Sequence, residues 1–566
     1  MSGIPFPGPE NPTGINVMNL SHNNEFTSDL IRYLPEQGIR IFIEFNPKDL
    51  VRSGRDPDGF LEEIDKNGSD IYFIRDEERR LFRYNSENPR IYRQIMHNDE
   101  YINLLCIKKK HSVFVNLISH SAGTTGGERL FRDTVDYFLE EKFVVHVTLP
   151  SEGPLQQLLS QRPVSIDIHP LPFWIREHAP DQQTYLRMLA RTLPDLVSGI
   201  AMRNPHLLFT NTSVIPQGAL ASEILGLPHI WRITEFGLPE FGIDYLVEEP
   251  GRKQFIVQGS EKIIFASHAL SQTYTSYLRE DQGVTMLTSV LSLMDKSLIE
   301  PFEKKPLLKI ICPATIQPGK RQEDLITAVH LLDQKGIQSV LVVLMGEINS
   351  GSYEKKLQDQ IRDYHLESRV EIRPFTEDLW DKYSDTEMVV STSVNEGFGR
   401  IVAEGMAHGK FVIGTDSGAT PELIRHGETG LLYQPMDPED LAEKILQYIN
   451  ETVDIRRIRQ KAFEFVILHC HPEQYRKQIA QLVRETIFND NDKRSKNDRL
   501  GSHVFYRSFL NALFFENKQL SEEVITLKDE LAAAVKAGQD LNQNILDKEA
   551  RKFHALLSRF LKGSSQ

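Results

Sequence analysis

Short, nearly uninterrupted apolar runs alternate with amphipathic, helix-like segments along most of this chain. The first clear example is VFVNLIS (113–119), which is typical of a parallel strand buried on both faces of a sheet. The glycine-rich stretch HSAGTTGGERL follows it, then the helix-like segment FRDTVDYFLEEK and a second apolar run, FVVHVTL. A strand, a glycine-rich turn, a helix and another strand in this order predict a βαβ unit.

The alternation continues to about residue 488 and predicts two doubly wound α/β domains. In the first, 113–300, the runs HLLFTNT, HIWRITEF and KIIFASH are interpreted as further short strands. The second, 301–488, begins at the strand-like segment LLKIICPAT and repeats the change from strand to helix up to a helical tail. Such repetition predicts an open parallel sheet with helices on both faces.

Different patterns flank these two domains. Residues 1–112 are interpreted as an accessory α/β or α+β region, with strands predicted at 39–45 and 70–75. Residues 489–502 form a polar linker, and 503–566 carry apolar positions four and three apart, which predicts a helical, coiled-coil tail. We expect this tail to make the protein a homo-oligomer, and the alternative is a helix packed on its own chain. Its basic, amphipathic end allows peripheral membrane contact, although a plain helix end is the preferred explanation.

Composition narrows the class of protein. A formal net charge of −14 argues against a general nucleic-acid binder, because such proteins carry basic surfaces. Three widely spaced cysteines argue against a disulfide scaffold and against a structural zinc site. The start of the sequence lacks the pattern of a signal peptide, and no apolar run is long enough to cross a bilayer. We expect a cytoplasmic protein, with the inner face of the membrane as an alternative location.

The stretch NEGFGRIVAEGMAHGK (395–410) carries the clearest chemistry. It follows the apolar run MVVSTS, so it lies where a buried strand turns into a helix, and ligands bind at such turns in doubly wound sheets. Gly397 and Gly399 allow backbone N–H groups to approach a ligand, and the helix N-terminus favours an anion. Glu396 and Glu404 offer carboxylates to the hydroxyls of sugars. An anionic centre between two polyols predicts a nucleotide sugar as the ligand.

These residues resemble the E-x7-E motif of the family 4 retaining glycosyltransferases. The downstream segment with Pro421 and Glu422 resembles the C-terminal signature of that family, PGKRQEDLITAV resembles its phosphate motif, and SAGTTGGERL its glycine-rich loop with Gly126 and Gly127. The resemblance implies a GT-B fold, in which two Rossmann-like doubly wound domains face each other across a cleft. The donor then binds the C-terminal domain and the acceptor binds the N-terminal domain.

The resemblance also implies roles for individual residues on the donor side. It places Glu404 on the ribose hydroxyls and Glu396 on hydroxyls of the transferred sugar. Lys320 then neutralises the leaving diphosphate, a transition-state role. The backbone groups that it places beside the sugar and diphosphate belong to Phe398, Gly399 and Arg400.

Two positions depart from the pattern of the family. Thr315 stands where an arginine is usual, so the adjacent Arg321 is the candidate for the missing cation. Glu235 stands where the N-terminal domain often has a histidine, and we expect it to orient the acceptor or the donor sugar. The alternatives are a salt bridge between Glu235 and Arg232, and a role for His120 in its place.

Together with the predicted nucleotide-sugar ligand, the resemblance implies a retaining glycosyltransferase that transfers a sugar from a nucleotide-diphosphate sugar to an acceptor hydroxyl, in cell-surface polysaccharide or glycoconjugate synthesis. The DPD sequence at 56–58 is interpreted as a turn, and no metal or cofactor is expected. The alternatives are a scaffold protein of the same fold with little turnover and a sugar-nucleotide epimerase or phosphorylase. The base, the sugar and the acceptor stay open, and residues 373–378 are the candidates for base recognition.

Overall fold

The computed structural model of the chain describes most of two α/β regions and parts of the residues before them. The described residues are 113–124, 126–176, 178, 181–237, 244–247, 249, 251–288, 305–376 and 378–488, and, earlier in the chain, 15–19, 40–45, 51, 56–66, 69–75, 80–84 and 102–108. The linker predicted at 489–502 and the coiled coil predicted at 503–566 lie outside the described residues. Oligomerisation and membrane contact through that tail therefore stay predictions.

The accessory region contains a mixed five-stranded sheet in the order β1-β2-β5-β3-β4. β1 and β2 pair in parallel, and the other strand pairs are antiparallel. Asp56 caps the accompanying helix α1, since its Oδ2 accepts from the Gly59 N–H at 3.0 Å, which is a structural role for the DPD sequence. The elements are β1 (Ile15–Asn19), β2 (Arg40–Phe45), α1 (Pro57–Lys66), β3 (Ser69–Arg75), β4 (Arg80–Arg83) and β5 (Ile102–Lys108).

The first Rossmann-like domain has a seven-stranded parallel sheet in the order β12-β11-β10-β9-β6-β7-β8. Its strands are β6 (Phe114–Ile118), β7 (Val144–Leu149), β8 (Ser165–Ile168), β9 (Leu207–Asn211), β10 (His229–Ile233), β11 (Lys262–Phe265) and β12 (Gly283–Thr285). Its helices are α2 (Gly126–Glu140), α3 (Pro154–Leu159), α4 (Gln182–Arg203), α5 (Gln217–Leu225), α6 (Gly251–Gln258) and α7 (His268–Gln272).

The second Rossmann-like domain has a six-stranded parallel sheet in the order β15-β14-β13-β16-β17-β18. Its strands are β13 (Leu308–Pro313), β14 (Val340–Met345), β15 (Val370–Arg373), β16 (Met388–Ser391), β17 (Phe411–Thr415) and β18 (Leu431–Tyr433). After β13 comes the 3₁₀ turn Pro318–Lys320, and the helices are α8 (Gln322–Gln334), α9 (Gly351–Asp363), α10 (Leu379–Lys382), α11 (Arg400–Ala407), α12 (Thr420–Leu423), α13 (Pro438–Ile449), α14 (Ile455–His469) and α15 (Pro472–Phe488).

The continuous apolar runs of the sequence are the central strands of these sheets. Every residue of β6, β9, β16 and β17 is buried, because helices cover both faces of each sheet. The prediction of two parallel-sheet domains is therefore confirmed. None of the helices in the described part of the chain combines the length and apolar character that crossing a bilayer requires.

The accessory sheet contacts the first domain at the amino ends of its strands. His206, which directly precedes β9, pairs with Asp70 of β3 at 3.6 Å, and its Nδ1 accepts from the Phe114 N–H at 2.9 Å. Tyr72 of β3 packs edge-on against the Phe114 ring, with 5.3 Å between ring centroids. Because ligands of a doubly wound sheet bind at the carboxyl ends of the strands, this contact lies on the side opposite the predicted cleft.

The last described helix, α15, returns to the first domain. Tyr475, Ile479 and Val483 join the apolar cluster that contains Val135 and Phe138 of α2. The sequence analysis assigned all of 301–488 to the C-terminal domain, whereas the packing of α15 places 472–488 on the N-terminal one. Amphipathic periodicity indicates that a helix buries one face, but it does not indicate which domain covers that face.

Candidate active site

The carboxyl ends of the two Rossmann-like sheets approach each other closely. Gly397 permits this close approach because it has no side chain. A Cβ atom built on it would lie 1.9 Å from the Thr234 carbonyl oxygen at the end of β10. Glycine is therefore required here by contact with the opposite domain, whereas the sequence analysis explained it by ligand approach. Gly399 immediately precedes α11 and has a φ of 86°. Residues other than glycine rarely adopt this backbone conformation.

Glu396 and Lys320 form an ion pair at the end of β16. Lys320 Nζ donates to Glu396 Oε1 at 2.5 Å, although the two residues are 76 positions apart. The hydroxyl of Thr392 donates to the Lys320 carbonyl at 2.6 Å and fixes the lysine-bearing turn against the end of β16. Burial alone would raise the pKa of Glu396, but the charge of Lys320 and hydrogen bonds from Lys320 and Ser393 hold it below the ordinary value. Glu396 is therefore kept as a carboxylate.

Glu404 receives one hydrogen bond on each carboxylate oxygen. Arg400 Nε donates to Oε1 at 2.7 Å, and Trp380 Nε1 donates to Oε2 at 3.2 Å. The Trp380 ring is stacked on His408, with 4.4 Å between centroids and 11° between planes, and so is held in place. The sequence analysis did not identify Trp380 or the side chain of Arg400 as site residues. The sequence signal that could have pointed to Trp380 is its position shortly after the loop suspected of base recognition, in the first turn of α10.

Arg321, the candidate for the missing cation, directly precedes α8 and is paired with an acid in the first turn of that helix. Its Nη2 and Nε donate to the two carboxylate oxygens of Asp324 at 2.6 and 2.9 Å, three residues further along. The structure does not bring it to Lys320 or Glu396 in this arrangement. A role for Arg321 at the diphosphate stays a prediction and requires it to exchange Asp324 for the ligand.

Glu235 is held by hydrogen bonds from two neighbouring residues. Its carboxylate accepts from the backbone N–H and hydroxyl groups of both Ser213 and Thr234, and the two hydroxyl bonds are 2.6 Å long. The Ser213 hydroxyl also lies 2.6 Å from the Tyr245 hydroxyl. The alternative of a salt bridge from Glu235 to Arg232 is wrong. The Arg232 side chain is buried elsewhere, where it donates to Asn211 at 2.8 Å and to Thr134 at 2.6 Å.

His120 lies in the glycine-rich loop after β6. Its Nε2 is 3.4 Å from the buried carboxylate of Glu128, and its Nδ1 is buried with no hydrogen-bond partner. Gly126 and Gly127 form the first turn of α2, and the carbonyl of Gly127 accepts from Asn211 Nδ2 at 3.4 Å. The loop predicted for ligand binding thus carries a histidine–glutamate pair at the carboxyl end of β6.

Three further contacts join the two domains around the site. Arg400 Nη2 lies 3.4 Å from Asp133 Oδ2, on α2 of the opposite domain. The Arg129 guanidinium lies over the Phe375 ring at 4.4 Å, and the Glu422 carboxylate accepts from the first two backbone N–H groups of α7 at 2.9 and 2.6 Å. The suspected base-recognition loop therefore also contacts α2.

The polar side chains at this site carry ammonium, guanidinium, carboxylate and hydroxyl groups. Within the described residues, no group of three or more histidine, cysteine, aspartate or glutamate side chains is arranged to hold a metal ion. The prediction that no metal is required stays a prediction.

The structure has two Rossmann-like domains with parallel sheets, and the carboxyl ends of their strands face each other. The last described helix packs on the first domain. This arrangement defines the GT-B class. Residues 296–465 match the model of the family described as Glycosyl transferases group 1. The sequence-based assignment to this group of glycosyltransferases and to the GT-B fold is confirmed. The crystal structure of Anabaena HepE in complex with UDP and glucose has the same fold, with a TM-score of 0.56, 21% identity and coverage of 66% of this chain and 100% of HepE.

Two curated relatives are similar in part of the chain. The N-acetyl-alpha-D-glucosaminyl L-malate synthase of Bacillus anthracis is 29% identical over 140 residues, which is 25% of this chain and 35% of the synthase. The putative glycosyltransferase EpsD of Bacillus subtilis is 31% identical over 152 residues, which is 27% of this chain and 39% of EpsD. The matches thus span little more than a third of the length of these relatives.

Proposed function

We propose that this protein is a retaining glycosyltransferase that transfers a sugar from a nucleotide-diphosphate sugar to an acceptor hydroxyl. The observation that carries the proposal is the placement of Lys320, Glu396 and Glu404. All three lie at the carboxyl edge of the second sheet, beside the opposite domain. A diphosphate flanked by a sugar and a ribose matches a cation flanked by two carboxylates.

The two carboxylates divide the recognition of the donor between them. Each oxygen of Glu404 already accepts one hydrogen bond, from Arg400 or Trp380, and a carboxylate oxygen accepts two. The remaining positions suit the two adjacent hydroxyls of ribose. Glu396, held ionised by Lys320, suits the hydroxyls of the transferred sugar.

Lys320 supplies the electrostatic part of catalysis. When the bond between the anomeric carbon and the phosphate oxygen breaks, negative charge develops on the diphosphate. An ammonium held beside the sugar-binding carboxylate neutralises that charge without reorganising, and the N-terminus of α11 adds a favourable dipole.

Retention follows from attack on the face that the phosphate leaves. The acceptor oxygen bonds to the anomeric carbon on that face, and its proton passes to an oxygen of the leaving diphosphate. Glu235 is poorly suited to act as a nucleophile instead, because four hydrogen bonds hold its carboxylate. The same bonds fill the acceptor positions of Glu235, so orienting a bound hydroxyl requires the Ser213 or Thr234 hydroxyl to give up its bond to the carboxylate. The pair of His120 and Glu128 is the second candidate for contact with the acceptor.

UDP is the first nucleotide to test, because HepE, which shares the fold, was crystallised with UDP and glucose. The test compares thermal unfolding of the wild type with UDP, GDP and ADP. A nucleotide present at one hundred times its Kd should stabilise the protein by about 2.7 kcal/mol. We expect one of the three to do so, with UDP the first candidate.

Glu404→Gln should remove most of that stabilisation and reduce turnover by roughly 100-fold, because the ribose loses the carboxylate that orients it. The amide keeps one acceptor oxygen for Arg400 or Trp380, so the fold should survive. Glu443→Gln is the matched control, since Glu443 is an exposed residue of α13 in the same domain. Sugar transfer by Glu404→Gln at the wild-type rate, or no shift of the wild type with any nucleotide, would contradict the proposal.

A further inference from the structure

We infer that Asp133, on α2 of the N-terminal domain, positions Arg400 and through it Glu404, so that recognition of the nucleoside is completed from across the cleft. The inference rests on the proposed function and names a residue to which neither the sequence motif nor the comparisons assign a role. Asp133 is a positioning residue here, because it reaches Glu404 only through Arg400.

The first observation is the geometry of the Arg400 guanidinium. Its Nε donates to Glu404 at 2.7 Å, and its Nη2 lies 3.4 Å from Asp133, which is 267 residues away in the sequence. Burial alone would lower the pKa of Arg400, but Glu404 and Asp133 together raise it above its ordinary value. One guanidinium is thus shared between the carboxylate predicted to bind ribose and an acid of the opposite domain.

The second observation is the unused capacity of the same guanidinium. Arg400 Nη1 is buried and has no hydrogen-bond partner, although leaving a buried donor without a partner destabilises a fold. A donor in that state beside Glu404 points to a ligand acceptor, and the oxygens of a bound nucleotide sugar are such acceptors. Arg400 is therefore oriented for a ligand, and Asp133 is the group that holds it from the other side.

The third observation is the way in which α2 presents this face to the other domain. Arg129 and Asp133 are one helical turn apart, and they contact Phe375 and Arg400 respectively. Asp136, one turn further along, pairs instead with Arg162 of its own domain at 2.8 Å. The helix thus carries one aspartate that contacts the opposite domain and another, three residues later, that pairs within its own domain and can serve as a control.

Asp133 limits how many hydrogen bonds Arg400 can donate to Glu404. With Asp133 present, Arg400 gives Glu404 a single hydrogen bond, and the carboxylate retains acceptor positions for the ribose hydroxyls. Without Asp133, the guanidinium is free to rotate into a bidentate pair with Glu404, which competes directly with ribose. Loss of Asp133 should therefore weaken binding of a nucleoside diphosphate but not of pyrophosphate, which has no ribose.

Trp380 provides an optical signature of this site. The sequence contains three tryptophans, and the other two, Trp174 and Trp231, are fully buried in the first domain. The Trp380 indole donates to Glu404, so ribose binding should change the emission of this tryptophan. Trp380→Phe identifies the part of the signal that comes from this residue.

The experiment titrates the full-length wild type, Asp133→Asn and Asp136→Asn with UDP and with inorganic pyrophosphate, with GDP and ADP in parallel. Calorimetry gives the affinities, and tryptophan emission reports Trp380. We expect Asp133→Asn to raise the Kd of the nucleotide by roughly fivefold to tenfold and to reduce the emission change. Its Kd for pyrophosphate should stay at the wild-type value, and Asp136→Asn should match the wild type for both ligands.

A second comparison tests whether the effect passes through Arg400. In an Arg400→Gln background, Asp133→Asn should cause no further loss of nucleotide affinity. The inference is overturned if Asp133→Asn binds nucleotide like Asp136→Asn, if it weakens pyrophosphate equally, or if its effect persists in the Arg400→Gln background. If the wild type itself binds no nucleotide, the proposed function is overturned together with the inference. If the wild type binds nucleotide but the variants behave otherwise than expected, only the inference about Asp133 fails.

Discussion

Replacing Lys320 with methionine should reduce turnover by about 10²–10³-fold, the usual loss when a preorganised group that stabilises developing charge is removed. Methionine approximates the length of lysine but carries no charge, so the leaving diphosphate loses its ammonium. The effect should fall on kcat, because the charge develops in the transition state. Initial rates of sugar transfer at varied donor concentration separate kcat from KM.

Lys444→Met is the matched control for this variant. Lys444 pairs with Asp440 at 3.0 Å within α13, so its replacement also breaks a lysine–carboxylate pair in the same domain. We expect Lys444→Met to keep wild-type turnover. Equal kcat values for Lys320→Met and the wild type would remove Lys320 from the mechanism.

The same variant should change how stability depends on pH. In the wild type the pKa of Glu396 is lowered, so its contribution to stability is present above the unfolded-state pKa and is lost as pH falls through the folded-state pKa. In Lys320→Met only the hydrogen bond from Ser393 still opposes burial, so the pKa of Glu396 should rise and the ionised carboxylate should destabilise the fold at neutral pH. The loss should be about 3 kcal/mol, the low end for a broken buried pair, because both side chains are partly exposed.

Denaturant unfolding at about pH 8 and about pH 5 measures this change. The difference between Lys320→Met and the wild type should shrink toward the lower pH, where Glu396 of the variant takes up a proton. Adding Glu396→Gln to the variant should restore much of the stability at pH 8. A difference in unfolding free energy that is the same at both pH values would contradict the coupling between these two residues.

Substitution of Gly397 by alanine should reduce kcat/KM by about 100-fold through displacement of the two domains, because small misplacements of reacting groups have effects of this size. The added Cβ would lie 1.9 Å from the Thr234 carbonyl oxygen, and backbone on both sides must move to accept it. The displaced segment also carries Glu396 and precedes Arg400. The donor and acceptor halves of the site therefore separate.

Gly351→Ala is the control, since a Cβ atom at Gly351 meets no atom within 4 Å. Gly397→Ala should keep a cooperative unfolding transition and measurable nucleotide binding while sugar transfer falls. Undiminished transfer by Gly397→Ala would show that turnover does not require the contact between Gly397 and Thr234. This variant also differs from Asp133→Asn, for which the main change is expected in nucleotide affinity.

Local sequence determined the two sheets and the turn that leads from β16 into α11. A strand buried on both faces is a continuous apolar run, and a helix that covers it has an apolar stripe, so both are visible within a few residues. Glu396, Gly399 and Glu404 follow one such strand and belong to one turn and one helix. Their proximity is therefore a consequence of local structure, which is why the sequence could predict it.

Tertiary structure alone decided which partners these residues have. Lys320 meets Glu396 across 76 residues, and Arg400 meets Asp133 across 267. Such pairs depend on how two sheets and two domains are placed, and no local pattern of apolar and polar residues contains that placement. The same reason explains why Glu235 pairs with Ser213 and not with Arg232, and why α15 covers the first domain. Periodicity specifies which face of an element is buried, whereas the packing of whole domains selects what that face contacts.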